Sequence, residues 1–300
     1  MEVKTPGDVI ELDPEFADAY HDAAIAGMTL ARSSKVLVTG LARNIANIAP
    51  LTMKRLEGLS KLFKEFQVHV VENDSTDGTP DLIREWQPGF KVTLDSSTLD
   101  RPHLPASREA ERTIALAEYR QRGVRFAESL DIEYVIVLDW DAWGGFLNEG
   151  VLTSLHYLSN NNNKGIFERD GYFAMASIGL AQFPGSDNWF NYDAWAHRPL
   201  WSWRQRPEMW YHHFVPPFGC PPIEVNSAFG GLCVYNVDDF ITGQYSGHHL
   251  GSGDCEHVAF HRSIAKATGK SMALNPSSVG LMFWNLDEDS ECSTQTANAA

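Results

Sequence analysis

The stretch at residues 134–141, with the sequence YVIVLDWD, is the feature that most constrains how this chain can fold. Its run of apolar, mostly β-branched residues predicts a short strand that is buried on both faces, as inside a parallel sheet. The run ends in Asp139, Trp140 and Asp141. Carboxylates at the carboxyl end of such a strand lie where open α/β sheets bind ligands, and their oxygens suit Mg²⁺ or Mn²⁺. The alternative is an acidic strand end that only turns the chain, because so short a pattern is common.

Strands and helices alternate through the residues that precede this stretch. Apolar runs predict strands at 35–40, 66–71 and, more weakly, 90–94. Helical spacing and composition predict helices at 13–32, 45–66, 81–86 and 107–129. This alternation predicts an α/β fold in which helices flank a twisted, mostly parallel sheet with right-handed crossovers.

Composition restricts the class of protein. With 300 residues, 43% of them hydrophobic and 21% charged, the chain fits one large α/β domain. The net charge of −15 argues against nucleic acid as a partner, because nucleic acids are bound through Lys and Arg. No run of 18 apolar residues and no signal-peptide pattern occurs, so we expect a soluble, cytoplasmic protein without a membrane span. The four cysteines lack C-x-x-C spacing, which predicts reduced thiols and no zinc motif.

A second informative segment, residues 72–80, follows the strand predicted at 66–71 and is dense in turn-forming residues. Glu72 and Asn73 can hydrogen-bond a nucleobase or a ribose from the end of that strand, and Asp77 can fix the shape of the loop. The alternative is an ordinary Asx-rich turn that caps the next helix.

The second half of the chain is irregular and rich in aromatic residues. Five of the nine tryptophans fall within about twenty residues: Trp189, Trp195, Trp201, Trp203 and Trp210. Aromatic rings stack on the apolar faces of sugars, while Asp193 and Arg198 can bind sugar hydroxyls, so a platform for a glycan acceptor is one interpretation. The other is a small core beneath an irregular excursion, because tryptophan is mostly buried.

A third chemical cluster lies at residues 251–261. Glycines precede Glu256, His257 and His261, and the two histidines are four residues apart on one face of a predicted helix. That face could hold a metal ion, although the order of residues does not match the His-Glu-x-x-His pattern of zinc hydrolases. Packing within the protein is the alternative for either histidine.

Three segments resemble, in order and spacing, the GT-A nucleotide-sugar glycosyltransferases. They are GLARN at 40–44, VENDSTDGT at 71–79 and LDWD at 138–141. The fungal capsule-associated α-mannosyltransferase family is similar at further segments: 112–121, 192–198 and 227–232. The resemblance covers about residues 36–280 and departs from that family at Gln121, where the family tends to have asparagine.

The resemblance implies a GT-A fold and transfer of a hexose from a GDP- or UDP-sugar to a sugar hydroxyl of a glycan, with mannose and retention of configuration favoured. It implies a Mn²⁺ or Mg²⁺ ion held by Asp141 and Asp139, with help from His257 or His261. The donor-binding residues expected on this basis are Gly40, Arg43, Glu72, Asn73, Asp77, Arg112, Arg120, Asp139 and Trp140. The expected catalytic carboxylates are Glu256, Asp254 and Asp193.

The predicted organisation is a helical lead-in (1–34), a nucleotide-sugar-binding half (35–145), an acceptor and catalytic half of the same domain (146–285) and a disordered tail (286–300). Two other functions remain open. A sugar-phosphate nucleotidyltransferase uses a similar sheet and metal, but its glycine-rich loop is missing after the first strand, and a non-catalytic carbohydrate-binding protein would use only the tryptophans. Eukaryotic members of the fungal family are membrane-anchored, whereas no membrane span is predicted here, so we expect a bacterial or viral origin.

Overall fold

A computed structural model describes residues 3–102, 110–160, 171–182, 185–204, 209–249 and 252–284 of the protein. The tail predicted at 286–300 and the first three residues of the helix predicted at 107–129 lie outside these ranges. No helix in the described part of the chain is both long enough and apolar enough to cross a membrane.

The described residues form a short 3₁₀ helix (Pro6–Asp8), eight α-helices and twelve β-strands. The α-helices are α1 (Ala17–Ala31), α2 (Ala49–Ser60), α3 (Thr79–Glu85), α4 (Ala110–Glu128), α5 (Asn148–Ser159), α6 (Met209–His212), α7 (Val237–Phe240) and α8 (Glu256–Thr268). The first six strands are β1 (Lys35–Ala42), β2 (Glu65–Asn73), β3 (Lys91–Ser97), β4 (Tyr134–Leu138), β5 (Gly145–Phe146) and β6 (Tyr172–Ala181). The others are β7 (Phe190–Asn191), β8 (Ile223–Val225), β9 (Leu232–Asn236), β10 (His248–His249), β11 (Ser252–Gly253) and β12 (Ser271–Phe283).

The main sheet confirms the predicted α/β fold and is consistent with a GT-A arrangement. Its strand order is β3-β2-β1-β4-β9-β6-β12-β5, with β7 paired to β6 and β8 paired to β12. Strands β3, β2, β1 and β4 are parallel, so Val38 aligns with Val68 on one side and with Ile136 on the other. The second half adds antiparallel pairs, because β9 runs against both β4 and β6.

The chain direction across this sheet determines where a ligand can bind. From β1 the chain moves outward to β2 and β3, and α4 then carries it back to β4 on the opposite side of β1. The order of strands therefore reverses between β1 and β4, and α/β sheets bind ligands at the carboxyl ends of the strands at such a point. Strand β4 is buried at all five of its positions, as its apolar run predicts.

The predicted elements form with shifted ends. The helix predicted at 45–66 is the shorter α2, which has a proline in its first turn, and Phe66 belongs to β2 instead. Strand β2 continues to Asn73, so Glu72 lies within the strand rather than in a loop. Pairing with β1 as far as Glu72 and with β3 as far as Asn73 holds these last residues extended.

Candidate active site

A cleft of about 240 Å³ opens at the carboxyl ends of β1, β2 and β4, against α4. Its charged and amide-bearing lining residues are Arg43, Asn73, Arg101, Arg112, Arg120, Asp139 and Asp141. Residues that are far apart in the sequence therefore meet at the reversal point of the sheet. All of these except Arg101 belong to the donor-binding and metal-binding sets expected from the sequence.

The three residues after β4 separate into two environments. Asp139 and Asp141 line the cleft, whereas Trp140 is 1% exposed and makes an edge-to-face contact with Trp86 at 6.2 Å. The chain turns at Trp140 and Asp141, after the end of β4, and the side chain between the two cleft carboxylates packs into the core. The side chain of Trp140 therefore packs in the core, whereas the sequence placed Trp140 among the expected donor-binding residues.

Helix α2 holds the backbone that carries these carboxylates. The hydroxyl of Thr52 donates to the carbonyl of Trp140 at 2.9 Å. The guanidinium of Arg55 donates to the carbonyls of Ala142 and Trp143 at 3.1 and 2.6 Å. The turn after β4 is thus fixed by side chains from a different element, which limits how far Asp139 and Asp141 can move.

Gly40, expected to contact the donor, is required by packing in β1. A Cβ atom added at Gly40 would lie 2.2 Å from the carbonyl oxygen of Leu138 and 2.7 Å from Cδ1 of Trp140. No side chain fits in that space unless β4 moves. Gly40 therefore allows β1 and β4 to pack closely beside Trp140.

The variant Gly40→Ala is expected to lower the free energy of unfolding by about 1–3 kcal/mol, because the added methyl group forces β4 away from β1. The measurement is urea denaturation followed by circular dichroism. The control Gly58→Ala lies within α2 and has open space around its Cβ position, so we expect a gain of up to about 1 kcal/mol. Equal stability of Gly40→Ala and the wild type would contradict this account of Gly40.

Arg120 joins two of the predicted site carboxylates. Its Nη2 donates to Asp139 at 3.1 Å and its Nε donates to Glu256 at 2.9 Å, with the Arg120 side chain 9% exposed and that of Glu256 3% exposed. Burial alone would lower the pKa of Arg120, but the two carboxylates raise it above its ordinary value. Burial raises the pKa of Asp139, and the guanidinium of Arg120 opposes that rise. Arg120 therefore stays charged, neutralises Glu256 and is shared with Asp139.

Unlike Arg120 and Asp139, Asp141 and Arg112 form no side-chain hydrogen bond or ion pair with another residue that the structure describes. The carboxylate of Asp141 accepts only from its own backbone N–H. Desolvation by the protein around it raises the pKa of the Asp141 carboxyl, and the positive charges of Arg120 and Arg112 oppose this rise. A carboxylate and a guanidinium that pair with no other described residue therefore line the same cleft.

The two carboxylates after β4 fit a divalent cation that takes further ligands from a substrate. Within the described ranges, no group of three or more His, Cys, Asp or Glu side chains could hold a metal ion by itself. Mg²⁺ and similar ions are commonly bound by one or two carboxylates, with substrate phosphates and water completing the shell. Asp141 and Asp139 both line the cleft, so their carboxylate oxygens are the groups that could hold such an ion.

The two histidines of α8 lie in an aromatic core. His261 is hydrogen-bonded through Nδ1 to the hydroxyl of Ser227 and through Nε2 to the hydroxyl of Tyr235, both at 2.8 Å. These contacts occupy both ring nitrogens, so the structure does not support the expected metal role of His261. The ring of His257 stacks on Phe229 with centroids 3.9 Å apart, and burial lowers its pKa well below the ordinary value.

Two of the expected donor-binding residues instead hold the loop after β2. The buried carboxylate of Glu72 accepts hydrogen bonds from the backbone N–H of Ser75 at 2.9 Å and the hydroxyl of Ser96 at 2.6 Å. Asp77 accepts one from the backbone N–H of Ala46 at 2.8 Å. Glu72 and Asp77 therefore brace this loop, and neither is among the residues that line the cleft.

Arg43 and Asp74 position the segment that covers one end of the cleft. Arg43 donates to the carbonyls of Arg101 at 2.9 Å and Pro102 at 3.3 Å. Asp74 has a left-handed backbone (φ 52°), and its carboxylate accepts from the N–H groups of Leu99 and Arg101 at 2.7 and 3.3 Å. Sequence reasoning missed Asp74 and Arg101, although an Asn-Asp pair after a strand is a signal for such a left-handed turn.

Asp254 belongs to a buried ion pair with Arg198, in which Nη2 of Arg198 donates to Oδ1 of Asp254 at 2.5 Å. The side chains are 1% and 4% exposed. Arg198 also donates to the carbonyls of Trp195 and His197, at 2.9 and 2.6 Å. This pair joins the aromatic-rich segment around Trp195 to the residues just before α8. The guanidinium of Arg198 is therefore engaged within the protein, whereas the sequence suggested that it binds sugar hydroxyls.

Asp193 alone among the three expected catalytic carboxylates lacks a cationic partner in the described ranges. It accepts hydrogen bonds from the backbone N–H groups of Ala196 and Gly230, both at 3.2 Å. Burial raises its pKa. The carbonyl of Gly231, the residue after Gly230, accepts from the N–H of Asp139 at 2.8 Å, which places Asp193 close to the cleft carboxylates.

The five tryptophans between residues 189 and 210 differ in how far they are exposed to solvent. Trp201 and Trp210 are 72% and 47% exposed. Trp189, Trp195 and Trp203 are partly buried and pack against the main core. Trp201 and Trp210 are therefore the more exposed of the five, and the other three contribute to the core as well.

Comparison with known proteins gives structural similarity without sequence matches. No protein-family model matches the chain, and no curated protein sequence matches it. One similar solved structure is the mannosyltransferase PcManGT from Pyrobaculum calidifontis in complex with GDP-Man and Mn²⁺, with a TM-score of 0.49 and 15% identity. That match covers 89% of this chain and 66% of the mannosyltransferase, so the chain spans just under two thirds of its length.

Two further similar structures are synthases. The glucosyl-3-phosphoglycerate synthase from Mycobacterium tuberculosis, in complex with Mn²⁺, UDP and phosphoglyceric acid, has a TM-score of 0.45 and 15% identity over 93% of this chain and 79% of that one. The mannosyl-3-phosphoglycerate synthase from Rubrobacter xylanophilus has a TM-score of 0.45 and 14% identity over 99% of this chain and 76% of that one.

Proposed function

We propose that this protein is a metal-dependent glycosyltransferase that moves a hexose from a nucleoside-diphosphate sugar to a sugar hydroxyl of a glycan. The observation that carries the proposal is the cleft at the reversal point of the sheet, where Asp141 and Arg112 both remain without partners among the described residues. A carboxylate that can hold a divalent ion and a guanidinium that can hold a phosphate are the two groups that binding of a metal-diphosphate requires. The resemblance of segments 40–44, 71–79 and 138–141 to GT-A enzymes supports the same conclusion.

The residues that line the cleft have distinct roles in this proposal. Asp141 and Asp139 would hold Mn²⁺ or Mg²⁺, and the bound ion would neutralise the charge of the diphosphate as the glycosidic bond breaks. Arg112 donates charge-assisted hydrogen bonds to the phosphates. Arg120 keeps the carboxylate of Asp139 in place. Asn73, at the end of β2, hydrogen-bonds the nucleoside of a GDP- or UDP-sugar.

In the transfer step, the bond between the anomeric carbon and the diphosphate oxygen breaks, and its electron pair stays on that oxygen. The acceptor hydroxyl forms the new bond to the anomeric carbon and loses its proton. For inversion of configuration, the carboxylate of Asp193 takes this proton. For retention, which the resemblance to the fungal family favours together with mannose as the sugar, the leaving phosphate takes it and Asp193 stabilises the positive charge at the sugar ring. NMR of the anomeric proton of the product distinguishes the two outcomes.

The variant Asp193→Asn is expected to lower kcat by about 10²–10⁴-fold, because the amide neither accepts the proton nor carries the negative charge. Binding of the nucleoside diphosphate should change less than twofold, since Asp193 contacts the reacting sugar rather than the nucleotide. Steady-state kinetics and titration calorimetry measure both quantities. The control Asp187→Asn changes an exposed residue shortly before β7 and should leave kcat unchanged. An unchanged kcat in Asp193→Asn would remove Asp193 from the mechanism.

The function itself is tested by incubating the protein with a panel of nucleotide sugars, Mn²⁺ and oligosaccharide acceptors and measuring released nucleoside diphosphate. We expect release with one class of donor and its loss after chelation of the metal with EDTA. Formation of pyrophosphate from a sugar phosphate and a nucleoside triphosphate would favour a nucleotidyltransferase instead. Glycan binding without nucleotide binding would favour a carbohydrate-binding protein.

A further inference from the structure

Tyr192 lies in the cleft at the end that holds the two carboxylates, and no role was assigned to it from the sequence. It follows β7 directly and lines the cleft together with Arg112, Asp139 and Asp141. Its ring packs against a small apolar cluster formed by Ala142, Ala181 and Met282. One end of this side chain is therefore anchored in the protein, while the other reaches the cleft.

The ring of Tyr192 is held in one orientation. Its backbone N–H donates to the carbonyl of Gly179 at 2.7 Å. Its ring meets that of Phe283 edge to face, with centroids 5.7 Å apart and an interplanar angle of 88°. The phenol hydroxyl has no hydrogen-bond partner among the described residues of the protein, so it is free to bond a ligand.

The hydroxyl of Tyr192 is a hydrogen-bond donor at neutral pH, because a phenol ordinarily loses its proton only at about pH 10. The side chain lines the cleft beside Asp139 and Asp141, and its ring is fixed against Phe283. The phenol can therefore donate to an oxygen of a ligand bound in the cleft.

We propose that Tyr192 is a catalytic residue whose phenol donates a hydrogen bond to the diphosphate oxygen that leaves the anomeric carbon. The inference rests on the proposed function, because it assigns to Tyr192 a partner that exists only in a nucleotide-sugar donor. The leaving oxygen gains negative charge as the bond breaks and keeps the electron pair, while the proton stays on the phenol. A donor that is already oriented needs no reorganisation when this charge develops, so it stabilises the transition state more than the bound donor sugar.

The test is the variant Tyr192→Phe, which removes the hydroxyl and keeps the ring that packs on Phe283. We expect kcat to fall about 100-fold, as when one donor is removed from an oxyanion site. The KM for the donor and the Kd for the nucleoside diphosphate with Mn²⁺ should stay within about twofold, because the bond strengthens only as charge develops. The control is Tyr157→Phe, a half-buried tyrosine of α5 outside the cleft, which should leave kcat unchanged.

The outcomes separate this inference from the proposed function. If the wild type turns over a nucleotide sugar and Tyr192→Phe has the same kcat, the inference is wrong and the proposed function stands. A higher KM with an unchanged kcat would also overturn it, since Tyr192 would then bind only the ground state. If the wild type neither binds a nucleoside diphosphate nor releases one, the proposed function itself fails. Circular dichroism and thermal melting show whether either phenylalanine variant alters the fold.

Discussion

Replacing Asp141 with asparagine is expected to lower kcat/KM for the sugar donor by about 1000-fold, which corresponds to about 4 kcal/mol of lost transition-state stabilisation. The asparagine side chain has nearly the same shape but no negative charge, so it holds a divalent ion far more weakly. Asp141 has no side-chain partner among the described residues, so the substitution breaks no ion pair within the protein. Steady-state kinetics with saturating Mn²⁺ measure the effect.

A second readout separates metal binding from turnover. The wild type should bind GDP or UDP more tightly when Mn²⁺ is present, and Asp141→Asn should lose that difference in titration calorimetry. The control Asp22→Asn removes an exposed carboxylate from α1, and we expect wild-type kinetics from it. If Asp141→Asn retained metal-dependent nucleotide binding and full turnover, the site would have to be placed elsewhere.

The second large effect is expected from Arg198→Met, which should lower the free energy of unfolding by about 3–5 kcal/mol. The substitution leaves the carboxylate of Asp254 buried without its cationic partner. It also leaves the carbonyls of Trp195 and His197 without the guanidinium that donates to them. An unpaired charge in the interior costs several kcal/mol, because water no longer solvates it. Urea denaturation measures the change.

A double variant tests the cause of this loss. Adding Asp254→Leu to Arg198→Met removes the unpaired charge, so we expect part of the stability to return, with a positive coupling energy in the double-mutant cycle. The control Arg262→Met changes an exposed arginine of α8 and should stay within about 0.5 kcal/mol of the wild type. Equal losses from Arg198→Met and Arg262→Met would mean that the buried pair has no special role.

Much of the framework follows from local patterns. The apolar run before Asp139 predicts the buried strand β4, and the alternation of elements around it predicts the parallel half of the sheet. Parallel strands bring their carboxyl ends to one edge, so the pattern also explains why Arg43, Asn73 and Asp141 share a cleft. These predictions succeed because periodicity and strand direction are properties of the sequence near each element.

Hydrogen bonds and ion pairs between side chains that are far apart in the sequence could not be predicted from local patterns. In the sequence, Glu256 is the first candidate for the catalytic carboxylate, and Asp193 is a further one. The fold neutralises Glu256 with Arg120, 136 positions away in the chain, and leaves Asp193 with backbone donors only. His261 resembles a metal ligand in the sequence, yet the hydroxyls of Ser227 and Tyr235 occupy its ring. No local pattern encodes which partner each of these groups will meet.

The sequence by itself determined the α/β class, the acidic strand end and the arginines and amides that line the cleft. The tertiary structure decided which of those groups remain available: Asp141, Arg112 and Tyr192 are left without side-chain hydrogen-bond or ion-pair partners in the described part of the chain, whereas Glu72, Asp77 and Asp254 hold the protein together. The physical reason is that the period of a strand or helix is set by neighbouring residues, while the charge and hydrogen-bond balance of a buried side chain depends on atoms that only folding brings within about 3 Å of it.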